Sequence, residues 1–144
     1  MCGIVAIQGK HTEKELQEMT NIIRHRGPDD KGFFHEGDIS LGQTRLSIID
    51  VEGGHQPIYN ENKTKCIVFN GEIYNFRELK KELRMPHMFS TKTDTEIILH
   101  LYEEEGPECI KKLDGMFTFA IYDKGKIFIG RDRLGIKPLY YGVR

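Results

Sequence analysis

MCGIVAI, residues 1–7, places a cysteine directly before a glycine and a short apolar run. The run has the length and composition of a buried β-strand, so it predicts a strand that starts next to Cys2. Removal of Met1 is expected because the residue after it is small, and it would leave Cys2 with a thiol and a free α-amine. An α-amine titrates at about 7.7–8.0 and so accepts a proton near neutral pH. Cys2 would then carry its own general base, unless it is only a small hydrophobic residue beginning a strand.

The composition is that of an ordinary globular domain. The chain has 144 residues, of which 38% are hydrophobic and 30% charged, enough for one domain with a core. Its net charge of −1 gives no sign of a surface for nucleic acid. No apolar run reaches the length of a membrane span and no signal-peptide pattern is present, so no membrane partner and a cytoplasmic location are expected.

The cysteines and histidines show no disulfide or metal-binding pattern. The three cysteines, Cys2, Cys66 and Cys109, are odd in number and widely spaced, which fits neither a disulfide framework nor a zinc site. Cys66 and Cys109 are expected in the core. The six histidines are scattered without ligand spacing, and we expect no metal in this domain.

The order of apolar and turn-forming segments predicts an α+β domain with antiparallel sheets. Thr12 with Glu15 has the pattern of a capping box, and Leu16, Met19, Ile22 and Ile23 form the expected apolar face of the helix that follows. Asp123-Lys124-Gly125 predicts a hairpin. Strands are predicted at 4–8, 32–35, 39–46, 66–69, 116–122, 126–130 and 139–142, and helices at 12–23, 74–83, 94–105 and 107–113.

The dipeptide Asn70-Gly71 is predicted to end the strand 66–69, because the segment after it has a helical pattern. Such a strand exit suits an oxyanion hole for acyl transfer to Cys2. The Asn70 amide and the uncrowded Gly71 N–H would bind the oxygen on which negative charge develops. A simple turn explains the same dipeptide and stays the alternative.

Two charged residues suit a substrate with amino-acid ends. Arg45 would hold a carboxylate in a bidentate fork, and Asp94 would receive an ammonium group. Each has a plain structural alternative. Arg45 would otherwise be a solvated charge at a strand edge, and Asp94 the N-cap of a helix.

Eight segments, taken together and in order, resemble one family. Their sequences and spacing are similar to those of the glutaminase domain of glutamine-hydrolysing asparagine synthetases, which are class II glutamine amidotransferases. The resemblance extends from Cys2 to Tyr141. The segments are MCGIVAI, RHRGPDD, RLSIID, QPIYN, FNGEIYN, TDTEIIL, GMFTFAIYD and GRDRLGIKPLYY.

This resemblance implies an N-terminal-nucleophile hydrolase fold, a four-layer αββα sandwich of two antiparallel sheets between helical layers. Residues 1–144 would be the glutaminase domain, truncated at its C-terminus. The implied reaction is hydrolysis of L-glutamine to glutamate and ammonia, with Cys2 as nucleophile and Asn70 and Gly71 as the oxyanion hole. Arg45 would hold the α-carboxylate and Asp94 the α-ammonium. The implied pocket is completed by Leu46, Ser47, Ile48, Ile49 and Glu72.

In this family the ammonia passes to a C-terminal synthetase domain, where it attacks an adenylated aspartate. ATP and Mg are expected only in that domain, which is absent from this chain, and no cofactor is expected here. A homodimer stays open. The alternatives are the glutaminase domain of an enzyme that aminates a sugar phosphate, and a non-catalytic glutamine-binding or assembly module.

Three further features have open roles. RHRGPDD is either a structural turn or a loop that Arg26 orders beside the nucleophile. GRDRLGIKPLYY is interpreted as scaffold, with charges that pair locally. Gln43 stands where the family often has histidine, which leaves the support of Arg45 undetermined.

Overall fold

Four layers of secondary structure follow one another in the computed structural model, which describes residues 2–47, 50 and 52–143. One helix covers a three-stranded sheet, a four-stranded sheet packs on its other face, and two helices cover the second sheet. The strand pairs among the described residues are antiparallel. This is the αββα sandwich expected from the sequence.

The first sheet contains β1 (Gly3–Gln8), β2 (Asp30–Glu36) and β3 (Ile39–Arg45), in the order β1-β3-β2. The central strand β3 is buried along its whole length. Gly3 pairs with Thr44, so Cys2 and Arg45 meet at the same end of this sheet.

The second sheet contains β4 (Ile58–Tyr59), β5 (Lys65–Ile73), β6 (Gly115–Asp123) and β7 (Lys126–Arg131), in that order. The predicted hairpin joins β6 to β7. Its turn places Lys124 at φ 47° and Gly125 at φ 76°. Positive φ at both central residues is the geometry that two-residue hairpins favour.

The helices lie on the outer faces of the sheets. Thr12 caps α1 (Glu13–Ile22) through the predicted capping box, its Oγ1 accepting from the Glu15 amide at 3.2 Å. Thr20 of α1 packs on Gly42 of β3, where an added Cβ would lie 2.4 Å from the Thr20 hydroxyl. The remaining helices are α2 (Phe76–Glu82), α3 (Thr95–Glu105) and the 3-10 helices Arg24–Arg26 and Gly106–Lys112.

Two apolar cores hold these layers together. The core between the sheets contains Ile39, Leu41, Cys66, Val68, Ala120 and Tyr122. The larger core lies between the second sheet and α2 and α3, and includes Ile67, Phe69, Ile73, Leu79, Ile97, Ile98, Leu101, Cys109, Phe117 and Phe119. Cys66 and Cys109 are core residues, as expected.

Three sequence predictions of local structure are wrong: the end of β5, the strand at 139–142 and the apolar face of α1. The strand does not end at Asn70-Gly71, because β5 continues to Ile73 and Gly71 pairs with Phe117. A Cβ on Gly71 would lie 2.2 Å from the Met116 carbonyl oxygen, so this glycine permits a close approach of strands rather than a turn. Residues 139–142 form no strand.

The third error concerns the apolar face of α1. Met19 is 44% and Ile22 75% exposed, while Leu16 and Thr20 make the buried contact. Helical spacing correctly predicted the helix but not the face that meets β3. Among the described residues, no helix is long and apolar enough to cross a membrane.

Candidate functional site

Three of the predicted site residues lie on the inner faces of the two sheets, which face each other. The even-numbered residues of β1 and β5, and the odd-numbered residues of β3, contact the core between the sheets. Because side chains alternate along a strand, Cys2, Arg45 and Asn70 continue these inner faces at the ends of their strands. The fold therefore gives three predicted site residues a common orientation.

Cys2 is held by two neighbouring segments. Its Sγ lies 3.9 Å from the Leu46 carbonyl oxygen, and its own carbonyl accepts a hydrogen bond from Arg26 Nε at 3.2 Å. A surface depression lined by His25, Arg26, Pro28 and Leu46 adjoins it. The RHRGPDD loop thus lies against Cys2, and Arg26 anchors its backbone.

Cys2 is the accessible thiol of this chain, all of whose cysteines the structure describes. It is half-buried, whereas Cys66 and Cys109 are fully buried. Burial raises the pKa of both core thiols to about 12, and nearby glutamate charges act in the same direction. A thiol reacts as its thiolate, so the two core cysteines are inert at neutral pH.

Arg45 is buried inside a turn and is not a solvated charge, so that alternative is wrong. The residue is 3% exposed, and its Nη2 donates to the Asp50 carbonyl oxygen at 2.7 Å. The Asp50 carboxylate accepts from the Gly53 amide at 3.2 Å and the Lys92 amide at 2.9 Å. These bonds hold Asp50 against the guanidinium and tie Gly53 and Lys92 to Asp50.

The turn around Arg45 also reaches the segment before α3. A Cβ on Gly54 would lie 2.5 Å from Arg45 Nη2 and 2.7 Å from the Thr93 methyl carbon. Gly54 therefore lets Arg45 and Thr93 approach each other across the turn. Since Asp94 follows Thr93, the proposed binders of the two substrate ends lie on adjoining segments.

Asp94 ties α3 to β5. Its Oδ2 accepts from the Ile73 amide at 2.8 Å, and its side chain makes no N-cap hydrogen bond to α3. Burial raises the pKa of Asp94, the Ile73 amide opposes that change, and the charge of Glu72 adds to it. The predicted capping role is wrong, and the carboxylate instead sits at the edge of β5.

The Gly71 amide occupies the middle of that edge. The Phe69 amide donates to Gln56 Oε1 at 2.7 Å, and the Ile73 amide to Asp94. Phe117, opposite Gly71, directs its own amide and carbonyl to Asp132 on the far side of β6. The Gly71 N–H therefore points away from β6, between two amides that side chains have engaged.

The remaining predicted pocket residues are placed as follows. The Leu46 carbonyl meets the Cys2 thiol, while the Ser47 amide donates to Asp29 Oδ2 at 2.8 Å. Glu72 is exposed beside Gly71, and Asn70 is buried. Ile48 and Ile49 lie outside the described residues.

Sequence reasoning missed the role of Gln56 and could not judge Gln43. Gln56 is buried and engages β5, although its motif, QPIYN, carried only the family resemblance. Gln43 is fully buried, and neither atom of its amide has a hydrogen-bond partner among the described residues. Its place two residues before Arg45 on the inner face makes it a neighbour of the site.

GRDRLGIKPLYY has the contacts of a scaffold. Asp132 accepts from the amides of Phe117, Ile136 and Lys137 at 2.8–3.1 Å. Arg131 donates to the carbonyls of Gly135 and Lys137, each at 2.8 Å. Asp132 and Arg131 thus bind backbone groups of the same segment and of β6, which fits a scaffold.

Solved structures share this fold. Glutamine phosphoribosylpyrophosphate amidotransferase from B. subtilis, complexed with ADP and GMP, aligns with a TM-score of 0.72 at 18% identity. A structure described as the allosteric regulatory enzyme of purine biosynthesis aligns with a TM-score of 0.75 at 18% identity. Each alignment covers 92% of this chain and 37% of the other. The N-terminal-nucleophile hydrolase fold is thereby confirmed.

Curated relatives are similar over nearly the whole chain. Asparagine synthetase B [glutamine-hydrolyzing] of Escherichia coli (strain K12) is 45% identical over 149 residues, covering 99% of this chain and 27% of the relative. Asparagine synthetase [glutamine-hydrolyzing] 1 of Bacillus subtilis (strain 168) is 45% identical over 151 residues, covering 98% and 24%. The Zea mays asparagine synthetase [glutamine-hydrolyzing] is 47% identical over 149 residues, covering 99% and 25%. The chain spans about a quarter of the length of these relatives.

A family model described as a glutamine amidotransferase domain matches residues 1–144. The match contains the accessible Cys2 and the strand edge at Gly71. The chain belongs to the glutamine amidotransferase domain family.

Proposed function

We propose that this chain hydrolyses L-glutamine to glutamate and ammonia through Cys2. After Met1 is removed, the Cys2 α-amine takes the thiol proton and the thiolate attacks the side-chain carbonyl carbon of glutamine. The C–N bond then breaks, ammonia leaves with that proton, and a thioester to Cys2 remains. Water hydrolyses the thioester, which releases glutamate and restores the thiol. Cys2 supports this role as the accessible thiol of the chain.

The single observation that carries the proposal is the edge of β5. Gln56 and Asp94 engage the amides on either side of Gly71, and the Gly71 N–H points out between them. We assign this N–H, with the buried Asn70 amide, to the oxyanion of the tetrahedral intermediate. Donors fixed before the reaction stabilise developing charge without reorganisation.

The two ends of the substrate match the two buried charges of the site. Arg45 would bind the α-carboxylate, because its guanidinium is enclosed by the turn at Asp50 and keeps a fixed orientation. Asp94 would bind the α-ammonium, whose charge would offset the cost of the buried carboxylate. Glu72 and the chain segment 46–49 would complete the pocket.

The ammonia would serve a second domain. The curated relatives named asparagine synthetases are about four times as long as this chain, so we propose a synthetase domain as its partner. ATP and Mg would be used there, to activate aspartate for attack by ammonia, and the glutaminase domain itself would need no cofactor. A cytoplasmic location belongs to the same proposal, and a homodimer stays a prediction.

The test uses an electrophilic diazoketone analogue of glutamine. The untagged protein is treated with a methionine aminopeptidase until its intact mass shows the loss of Met1. It is then incubated with the analogue, with and without competing glutamine. We expect a single adduct that maps to Cys2 and that glutamine prevents. Cys66 and Cys109 are internal controls, and Cys2→Ser should stay unmodified at residue 2.

Two outcomes would contradict the proposal. A processed Cys2 that fails to react would favour the non-catalytic glutamine-binding module. An adduct that forms equally with excess glutamine would show a reactive thiol without a substrate pocket. Release of glutamate and ammonia, measured on the same preparation, tests turnover separately from binding.

A further inference from the structure

A cluster of metal-ligand side chains lies between α3 and the irregular segment that precedes it. Its members are Glu61, His87, His100 and Glu103, each of which offers one donor atom. The four donor atoms lie within 4.8 Å of one another. Glu61 belongs to the turn after β4, His87 to the segment 83–94, and the other two to α3. The fold thus brings together residues that show no ligand spacing in the sequence.

The nitrogen–oxygen distances between the donors suit a four-coordinate ion. His87 Nδ1 lies 3.3 Å from Glu61 Oε1 and 3.8 Å from Glu103 Oε2. His100 Nδ1 lies 3.8 Å and 3.2 Å from the same two oxygens. Zinc–nitrogen and zinc–oxygen bonds of about 2.0–2.2 Å place tetrahedral ligands about 3.4 Å apart. All four nitrogen–oxygen edges are close to that value, and the remaining nitrogen–nitrogen and oxygen–oxygen edges are at most 4.8 Å.

Each histidine also has a carboxylate at its other ring nitrogen. His87 Nε2 lies 3.1 Å from Glu104 Oε1, and His100 Nε2 lies 3.6 Å from Glu96 Oε1. Histidines that bind a metal nearly always direct the second ring nitrogen to a carboxylate, carbonyl or water, which fixes the tautomer. Both Nδ1 atoms face a carboxylate oxygen at the shared centre, where a bound ion would take the place of the proton.

The carboxylates are held in place by neighbouring groups. Glu61 Oε1 accepts from the Met88 amide at 2.9 Å, and Asn60 Nδ2 donates to the Glu103 Oε1 at 2.6 Å. That bond leaves Glu103 Oε2 to face the histidines. Glu104 Oε1 accepts from the amides of Arg84 and Met85, both at 2.9 Å. These hydrogen bonds hold the carboxylates beside the two histidines.

We propose that Glu61, His87, His100 and Glu103 form a structural zinc site. Imidazole ligands select zinc and related transition metals, whereas calcium and magnesium prefer oxygen alone. Two carboxylates and two neutral imidazoles balance the charge of Zn²⁺. Four protein ligands close the coordination shell, which is the mark of a structural rather than a catalytic zinc.

The ion would fasten the segment 83–94 and the turn after β4 to α3. That segment contains no regular secondary structure and ends at Asp94, directly before α3. The inference is independent of glutamine hydrolysis, because none of the four ligands belongs to the proposed pocket. The sequence analysis expected no metal, and this proposal replaces that expectation.

The test measures zinc binding to the untagged protein with Cys2→Ala. This background removes the thiol, which would itself bind zinc next to a free α-amine. Titration against a competing chromogenic chelator should give one equivalent of zinc per chain. Cobalt(II) should give the visible bands of a four-coordinate ion without the near-ultraviolet band of a thiolate ligand. Zinc should also raise Tm.

Variants assign the site. His87→Ala and Glu61→Gln change ligands that do not belong to α3. Each should lower zinc affinity by more than 100-fold and abolish the rise in Tm. Glu104→Gln should lower it by about 10–100-fold, the usual effect of losing the partner of a metal-binding histidine. His25→Ala, an exposed histidine outside the cluster, is the matched control and should leave affinity unchanged.

Three outcomes would overturn the proposal. These are no binding to the background protein, unchanged binding in both His87→Ala and Glu61→Gln, and loss of binding in His11→Ala. Loss of binding in His11→Ala would assign the metal to His11 and His35, a pair outside the cluster whose ring centroids are 5.7 Å apart. In any of these cases the cluster would be one of histidines and carboxylates that hydrogen-bond to each other.

Discussion

The Asp94 carboxylate accepts a hydrogen bond from the Ile73 amide at 2.8 Å, two residues along β5 from Gly71. One side chain thereby fixes the strand edge that carries the proposed oxyanion donor and presents a negative charge for the substrate ammonium. The same carboxylate is buried, and burial raises its pKa above the ordinary value. Its environment thus disfavours the charge that the proposed function needs.

Asp94→Asn should separate these two roles. The asparagine Oδ1 can still accept from the Ile73 amide, whereas the charge that binds the α-ammonium is lost. We expect kcat/KM for glutamine to fall by at least 100-fold, since a hydrogen bond to a charged group contributes about 1.5–3 kcal/mol and the Coulomb attraction adds to it. The free energy of unfolding at pH 7 should stay equal or rise.

Steady-state kinetics and urea unfolding of the same preparation check this prediction. Asp94→Ala is the control that removes both roles, and it should lose activity and stability together. Equal loss of stability in Asp94→Asn and Asp94→Ala would show that the carboxylate is mainly structural.

The raised pKa of Asp94 also predicts a pH dependence. Protonation removes the binding charge, so kcat/KM should fall on acidification with a midpoint above about 3.9, the ordinary value for aspartate. The stability of the fold depends on pH in the opposite direction. Because the pKa of Asp94 is higher in the folded than in the unfolded state, protonation of this group stabilises the fold. This stabilisation is complete below the unfolded-state pKa and is lost as pH rises through the folded-state pKa.

The comparison of wild type with Asp94→Asn isolates this group. Between pH 3 and pH 7, wild type should lose stability relative to Asp94→Asn as pH rises. The residual activity of Asp94→Asn should lack the fall in kcat/KM that wild type shows on acidification. A stability difference that does not change with pH would contradict the direction of the shift.

Arg26 offers a prediction about positioning. Its Nε donates to the Cys2 carbonyl at 3.2 Å, so it orients the backbone that carries the nucleophile and its α-amine. Arg26→Lys keeps the charge but loses the planar donor. We expect kcat to fall by about 10–100-fold with little change in KM, because misplacing a reacting group by about 1 Å costs on that scale.

The labelling rate of Cys2 by a small electrophile is the second readout for Arg26→Lys. It should change less than kcat, because intrinsic thiol reactivity does not depend on the alignment of bound glutamine. A rise in KM with constant kcat would instead indicate that Arg26 contacts the substrate.

The parts of this fold that the sequence predicts well rest on local chemistry. The capping box of Thr12 and the hairpin at Lys124-Gly125 each depend on residues within one turn of chain. The continuation of β5 through Gly71 does not, because Met116 approaches from a strand more than forty residues away. Asn-Gly therefore looked like a turn although tertiary pairing keeps it extended.

The candidate site shows the same division. Cys2, Arg45 and Asp94 were recognisable as reactive or charged groups with a family resemblance. Gln56 was not, because its bond to the Phe69 amide exists only once the loop 53–57 folds back on β5. The burial that raises the pKa of Asp94 is likewise a property of the packed layers rather than of its neighbours in sequence.

Gln43 gives a prediction on stability. Its amide is buried without a hydrogen-bond partner among the described residues, which is unfavourable. Gln43→Met keeps the shape and removes both polar atoms, so we expect the free energy of unfolding to rise by about 1–2 kcal/mol. Chemical denaturation checks the change, and Gln43→Ala, which leaves a cavity, should destabilise the protein by about 2 kcal/mol or more.

Activity decides whether Gln43 also serves the site. Unchanged kcat and KM in Gln43→Met would make it a residue of packing only. A loss of stability in Gln43→Met would contradict the prediction and show that the amide holds a buried water.

Asp132 tests the interpretation of GRDRLGIKPLYY as scaffold. Burial alone would raise the pKa of Asp132, but the amides of Lys137, Ile136 and Phe117 lower it below the ordinary value. Asp132→Ala leaves these three donors, two of them buried, without their acceptor, and we expect a loss of about 3 kcal/mol or more in unfolding free energy. Because a lowered folded-state pKa stabilises the fold above the unfolded pKa, this contribution should fade as pH drops toward and below about 4.

Unfolding of wild type and Asp132→Ala across pH 3–7 measures that trend, with Asp132→Asn as the variant that keeps one acceptor oxygen. The scaffold role requires that KM for glutamine, measured well below Tm, stay within about twofold of wild type, because a purely local change leaves the pocket contacts intact. A large rise in KM with little loss of stability would instead mean that Asp132 acts on the pocket, through Phe117 and the facing strand at Gly71.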